Sequence, residues 1–208
     1  WAVRSLETHQ KFQPKDYKRF LFGIIQGANH KKLRQASAQF ISNLDFDGVA
    51  IGGESIGYNM KATADIIDWV APILPENKPR YAMGLGYSPV DLFTAVERGI
   101  DMFDCVAPTR IARNGTLYVH RNISPSFKIS ITNAQFRSNE QPIDPHCLCY
   151  TCTTYSRAYV HHLFRANEML AYRLATVHNL YFFLGLMRDM RAAIKADQFL
   201  DFKKDWLG

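Results

Sequence analysis

The sequence predicts an α/β fold: the C-terminal half of a (β/α)8 TIM barrel with an inserted or appended zinc-binding subdomain. Three observations predict it. Four short apolar runs alternate with helix-patterned segments, each run ends in residues suited to chemistry or close backbone approach, and three cysteines, Cys147, Cys149 and Cys152, crowd into six residues further on.

The apolar runs are Phe20 to Gly27, Gly48 to Gly53, Arg80 to Gly86 and Asp101 to Pro108. Between them, Lys31 to Leu44, Lys61 to Leu74 and Pro89 to Arg98 repeat apolar residues at helical spacing. Such alternation predicts a parallel sheet buried on both faces, because parallel strands need helical crossovers. The run ends are Gln26-Gly27, Gly52-Gly53, Met83-Gly84 and Asp104-Cys105. A barrel converges all its strand ends on one mouth, whereas an open doubly wound sheet concentrates its ligand at a switch point. No Gly-x-Gly-x-x-Gly turn follows any run, so a dinucleotide fold loses its main support. Four strands are half a barrel, and a complete one takes about 250 residues. The first half is therefore expected to lie outside this chain.

Beyond Pro108, Thr116 to His120 and Lys128 to Thr132 alternate like a small β-ribbon, the cysteine cluster follows, and Arg157 to Leu174 and Asn179 to Ala196 carry helical stripes. The expected division is residues 1–115 for the barrel half, 116–178 for ribbon and zinc subdomain, and 179–208 for a C-terminal helix packing back on the barrel.

With 208 residues and 47% hydrophobic content, the chain can bury one sizeable core. No apolar run reaches membrane-span length, and the Trp1 to Glu7 start has neither a signal peptide's apolar stretch nor an initiating methionine. A cytoplasmic protein without membrane partners, cut from a longer chain, is expected. The net charge of +6 leans weakly toward a polyanionic partner.

Cys-x-Cys-x-x-Cys spacing can set three thiolates around one structural Zn2+, and His161, His162 or His178 can close the tetrahedron. The alternative is three reduced cysteines packed as small hydrophobes. Disulfides are disfavoured, since a chain of this size and apolar content needs no covalent staples.

Chemistry concentrates between Asp101 and Gly115. Strand alternation points Met102 and Asp104 to one face, Asp101 and Phe103 to the other. Asp104, at the strand end, suits a nucleophile or acid/base group, and Arg110 and Arg113 suit phosphates or base edges. The competing reading makes Asp104 a helix cap or a salt-bridge partner of Arg110. Cys105 is expected to be a buried small hydrophobe.

Gly23-Ile-Ile-Gln-Gly27, Asp47-Gly-Val-Ala-Ile-Gly-Gly53, Pro79-Arg-Tyr-Ala-Met-Gly84, the Asp101 to Gly115 run, Cys147-Leu-Cys-Tyr-Thr-Cys152 and Ser156-Arg-Ala-Tyr-Val-His-His162 together resemble the tRNA-guanine transglycosylases, matching their C-terminal half in order. The resemblance implies replacement of guanine at the tRNA wobble position by a 7-deazaguanine, preQ1 or queuine. It implies Asp104 as the nucleophile forming a covalent ribose adduct, and Gln26, Gly53 and Met83 as base-pocket residues. Arg110 and Arg113 become anticodon-loop contacts, His178 the fourth zinc ligand, and a homodimer the expected assembly. The family's acid/base aspartate belongs to its other half, so this polypeptide alone is expected to be inactive. Glu54 and Tyr58 depart from the bacterial pattern, in which an aliphatic residue and a glutamate occur, and imply altered base preference. The alternative reading is a noncatalytic RNA-binding partner subunit of a heteromeric transglycosylase, against which Asp104 argues. A zinc hydrolase fails because a closed Cys3His shell leaves no position for water.

Overall fold

The computed structural model describes residues 1–53 and 59–208. Glu54 and Tyr58, which carry the expected change of base preference, lie outside the described residues. The chain divides into two compact units, Trp1–Cys105 and Val106–Gly208.

In the first unit, helix α1 (Ala2–Lys11) precedes β1 (Phe22–Ile25), α2 (Lys31–Ser42), β2 (Gly48–Ile51), α3 (Met60–Val70), β3 (Arg80–Ala82), α4 (Pro89–Val96) and β4 (Met102–Phe103). The expected runs and helices thus form, while α1 has no counterpart in the sequence reading. Local signals start two of the helices. Asn59 accepts from the Ala62 amide at the head of α3, and Ser88 with Asp91 makes a capping box ahead of Pro89.

The strands pair in parallel in the order β1-β2-β3-β4, with Phe22 opposite Gly48, Val49 opposite Arg80 and Tyr81 opposite Met102. Sequential order with crossovers of one hand places successive helices on the same face. Alternation then sorts the side chains: Ile25, Ile51 and Ala82 are fully buried with Ile66, Ile67 and Phe93 of the helices. Ile24, Met83 and Met102 on the opposite face are 43%, 36% and 45% exposed. The expectation of strands buried on both faces holds for β2, whose four residues are all buried, and is corrected for β1, β3 and β4, where the face away from the helices is not fully covered. Asp47, just before β2, accepts from the Leu21 amide at 2.9 Å and pairs with Lys18 at 2.8 Å, joining the starts of β1 and β2.

The second unit contains α5 (Ala107–Ala112), an antiparallel ribbon of β5 (Thr116–Tyr118) and β6 (Lys128–Ser130), then α6 (Tyr150–Thr154), α7 (Arg157–Arg165), α8 (Met169–Lys195) and α9 (Phe199–Leu207). Helices α5, α6 and α7 all pack on α8. The expected helix over Arg157 to Leu174 is in fact broken, and the second begins ten residues earlier than Asn179. Asn167 adopts a left-handed conformation (φ 55°) that ends α7, whereas the stripe Ala171, Leu174, Ala175, His178, Asn179 and Phe183 continues without interruption along α8. At the C-terminus, Trp206 of α9 stacks on Phe127 and meets His120 edge-on.

Asn179 anchors the ribbon to α8. Its side chain accepts from the Tyr118 amide at 2.9 Å and donates to the Pro108 and Thr116 carbonyls at 3.0 Å each, with no exposed surface. Replacing it with alanine leaves two buried backbone groups and one part-buried carbonyl without these partners, so Asn179→Ala should destabilise the second unit by about 3 kcal/mol. Chemical denaturation followed by proteolysis of this unit measures that loss, and a change within the error of the wild-type midpoint would contradict it.

Candidate functional site

Four donor atoms converge in the second unit. Cys147, Cys149, Cys152 and His178 place one ligand atom each within 4.8 Å of one another, and three of the four residues are buried. Local chain geometry delivers the cysteines. Asp144 accepts from the amides of His146 and His120, the Cys147 amide donates to the Asp144 carbonyl, and Cys149 caps α6 by accepting from the Cys152 amide. Thr151 donates to the Leu174 carbonyl at 2.8 Å, holding α6 against α8.

His178 comes from the middle of α8, and its tautomer follows from its partners. Nε2 lies 2.6 Å from the Tyr118 carbonyl, which can only accept, so Nε2 carries a proton and Nδ1 faces the sulfurs of Cys147, Cys149 and Cys152 at 3.7, 3.6 and 3.3 Å. An imidazole held by a carbonyl with its other nitrogen among thiolates is the arrangement of a metal-ligating histidine.

The electrostatics agree with a cation. Hydrogen bonds from Cys147 and then Cys152 push the Cys149 thiol down, while the same neighbours Cys147 and Cys149 push Cys152 up. Burial lowers His178, but the sulfurs of Cys147 and Cys149 outweigh it and hold the ring up at about 9. Crowded thiols thus compete for protons that a divalent ion replaces. Three thiolates and one imidazole fit Zn2+, and four protein ligands close its shell, which is a structural site. His161 and His162 stand outside it. His161 is buried with Nδ1 2.8 Å from the Ile131 carbonyl, and His162 is exposed.

A second cluster lies at the carboxyl edge of the sheet in the first unit. Asp104 is exposed, and its Oδ1 accepts from the Tyr81 hydroxyl at 2.6 Å and the Gly84 amide at 2.8 Å. Burial, together with the hydrogen bond and charge of Asp104, pushes Tyr81 up to about 12, so it stays a donor. Met102 shares the face of Asp104, as alternation predicts, while Asp101 accepts from the Arg80 amide on the other.

Gln26 and Met83 flank Gly52: a Cβ there would meet Gln26 Nε2 at 3.0 Å and Met83 Sδ at 3.5 Å. Gly53 follows with φ +132°, a region closed to most side chains. The edge thus gathers Gln26, Gly53 and Met83, and Met83 immediately precedes the Gly84 amide that holds Asp104. Cys105, expected to be buried, is only partly so. In the second unit, Arg110 lies on α5 and Arg113 caps its end, both exposed.

Sequence reasoning marked Gly84 only as a run end and missed Tyr81 and Asp144. The usable signal for Tyr81 is alternation along its run, which puts it on the same face as Met83.

A family model described as queuine tRNA-ribosyltransferase matches residues 1–208. Proteins named queuine tRNA-ribosyltransferase are similar to the chain. That of Thermoanaerobacter sp. (strain X514) is 48% identical over 206 residues, covering 99% of this chain and 52% of the relative. That of Lactococcus lactis subsp. lactis (strain IL1403) is 47% identical, covering 99% and 51%, and that of Streptococcus suis (strain 98HAH33) is 46% identical, covering 100% and 52%. The chain spans about half the length of the curated relatives it matches.

The metal site sets a direct expectation. Elemental analysis of the purified protein should find one zinc per chain, and Cys149→Ser or His178→Ala should reduce it to near zero. Because metal binding is coupled to folding, chelation should lower the melting temperature by about 5 °C or more. Full zinc occupancy in His178→Ala would remove that residue from the ligand set.

Proposed function

The chain belongs to the queuine tRNA-ribosyltransferase family, and from that premise we propose that it serves tRNA base exchange, replacing guanine at the anticodon wobble position by a 7-deazaguanine, preQ1 or queuine. The single observation that carries this reading is the Asp104 carboxylate, whose Oδ1 is held by Tyr81 and Gly84 at the sheet edge beside Gln26, Gly52 and Met83.

Asp104 is the nucleophile. With Oδ1 fixed by two donors, Oδ2 attacks C1′ of the wobble ribose, the bond from C1′ to guanine breaks, and guanine leaves with a proton from a separate acid. The ribose is held as an aspartyl adduct, as in retaining glycosidases. The incoming base attacks C1′ through the same ring nitrogen, its proton passes to the conjugate base of the acid that protonated guanine, and Asp104 departs as a carboxylate. Tyr81 and Gly84 orient the attacking group and receive the returning charge.

Gln26 reads the purine edge, the Gly53 backbone approaches the base, and Met83 covers the ring. Arg110 and Arg113 hold the anticodon loop, whose unstacked bases are cheaper to extrude than duplex ones. Zn2+, when bound, supplies a cross-link between the cysteine segment and α8. A homodimer in the cytoplasm, where tRNA is found, completes the reading.

We also infer that the four-stranded sheet is half of a (β/α)8 barrel. The support is its sequential parallel order, helices on one face, and exposed apolar side chains on the other.

Two expectations test this reading. In the full-length enzyme, Asp104→Asn should form no covalent tRNA adduct on denaturing gels, and Tyr81→Phe should slow adduct formation by about tenfold or more, since hydrogen bonds to charged groups contribute about 1.5–3 kcal/mol. A surviving adduct in Asp104→Asn would exclude the residue as nucleophile, whereas no adduct in the unsubstituted enzyme would favour the noncatalytic alternative.

The 208-residue polypeptide alone should exchange no base and should associate through its open apolar sheet face. Turnover by this polypeptide, or a well-behaved monomer in light scattering, would count against the barrel-half reading.

A further inference from the structure

Arg34 of α2 takes no part in the site as described, yet it is among the largest fully buried side chains of the described residues, with 0% exposure. Burial lowers its pKa, and no ion pair compensates the charge among the described residues. A buried guanidinium without a counter-charge persists only where it satisfies enough acceptors.

Its acceptors are all backbone carbonyls at the carboxyl edge of the sheet. Nε donates to Ala28 at 2.8 Å, and Nη1 donates to Ile25 at 3.2 Å and Gly52 at 2.6 Å. The Ile25 carbonyl belongs to the peptide plane leading into Gln26, and the Gly52 carbonyl to the plane leading into Gly53. Ala28 itself stands at φ 48°, a left-handed conformation unfavourable for alanine, and its carbonyl is tied to the same side chain.

The fourth relation is steric. Nη2 has no hydrogen-bond partner among the described residues, and a Cβ on Gly53 would lie 2.5 Å from it. Arg34 therefore occupies the space behind Gly53 and grips the peptides on both adjacent strands.

We propose that Arg34 is a positioning residue for base recognition: one guanidinium orients the Ile25–Gln26 and Gly52–Gly53 peptides together, so that the Gln26 amide and the Gly53 backbone meet the same heteroaromatic base. This rests on the reading of Gln26 and Gly53 as base-pocket residues. The planar fork matters, because an ammonium group offers a point charge without the guanidinium's fixed geometry.

The test uses the full-length enzyme with Arg34→Lys, Arg34→Gln and Arg34→Ala. KM for guanine and preQ1 is measured at saturating tRNA, and KM for tRNA at saturating base, with zinc content and melting temperature as controls of folding. The expected result in folded Arg34→Lys and Arg34→Gln is a rise of about tenfold or more in base KM with tRNA KM unchanged. Methylguanidinium should restore base KM in Arg34→Ala. Unchanged base KM in a folded variant, parallel rises in both KM values, or failure of all three variants to fold would overturn the positioning role. Absence of exchange in the wild-type enzyme would instead overturn the base-exchange reading on which it stands.

Discussion

Sequential parallel pairing is the constraint on which the first unit depends. Once β1, β2, β3 and β4 lie side by side in one direction, their carboxyl ends share an edge, and crossovers of one hand share a face. The hydrophobic core then forms mainly on that face, from Ile25, Ile51 and Ala82 against α2, α3 and α4. The same pairing brings Gln26, Gly52, Met83 and Asp104 together, although they are spread over nearly eighty residues of chain. Core and candidate site are consequences of one hydrogen-bonded ladder read from its two faces and its end.

At that edge the polar groups are held by neighbours rather than by charge pairing. Asp104 is fixed by a phenol and a backbone amide, and Arg34 by three carbonyls. Both donors on the Asp104 carboxylate are neutral, and no lysine or arginine pairs with it among the described residues. Arg34 makes the complementary use of geometry, since its fork joins two strand ends that the ladder alone links through the Gly52 amide and Ile25 carbonyl.

The second unit depends on one face of α8. His178 and Asn179 are adjacent, both buried, and both reach β5: His178 through the Tyr118 carbonyl, Asn179 through the Tyr118 amide. A single residue of the ribbon thus has both backbone groups bound by the helix. The cysteines meet the other nitrogen of His178, so ribbon, cysteine segment and helix join at one imidazole. Four protein donors leave no place for a reacting water, which separates the structural role of this cluster from the carboxylate edge.

The sequence by itself determined the elements whose signals are local. Apolar runs ending in glycine or small polar residues, the helical spacing of Lys31 to Leu44, Lys61 to Leu74 and Pro89 to Arg98, and the Cys-x-Cys-x-x-Cys spacing specify strands, helices and three ligands without reference to the rest of the chain. It also determined which face of β4 carries Asp104, because strand alternation has a fixed period. What only the tertiary structure decided are the relations between distant residues. Spacing alone left three histidines available to the cysteines and the resemblance pointed to His178; the continuous α8 turns His178 toward them while His161 meets Ile131. Arg34 lies in no motif, Tyr81 and Gly84 lie in one that assigns them no role, and the groups they hold belong to other segments of the chain. The physical reason is that a hydrogen bond across strands depends on register and on the space left by its neighbours, and neither is written in the spacing of any one segment.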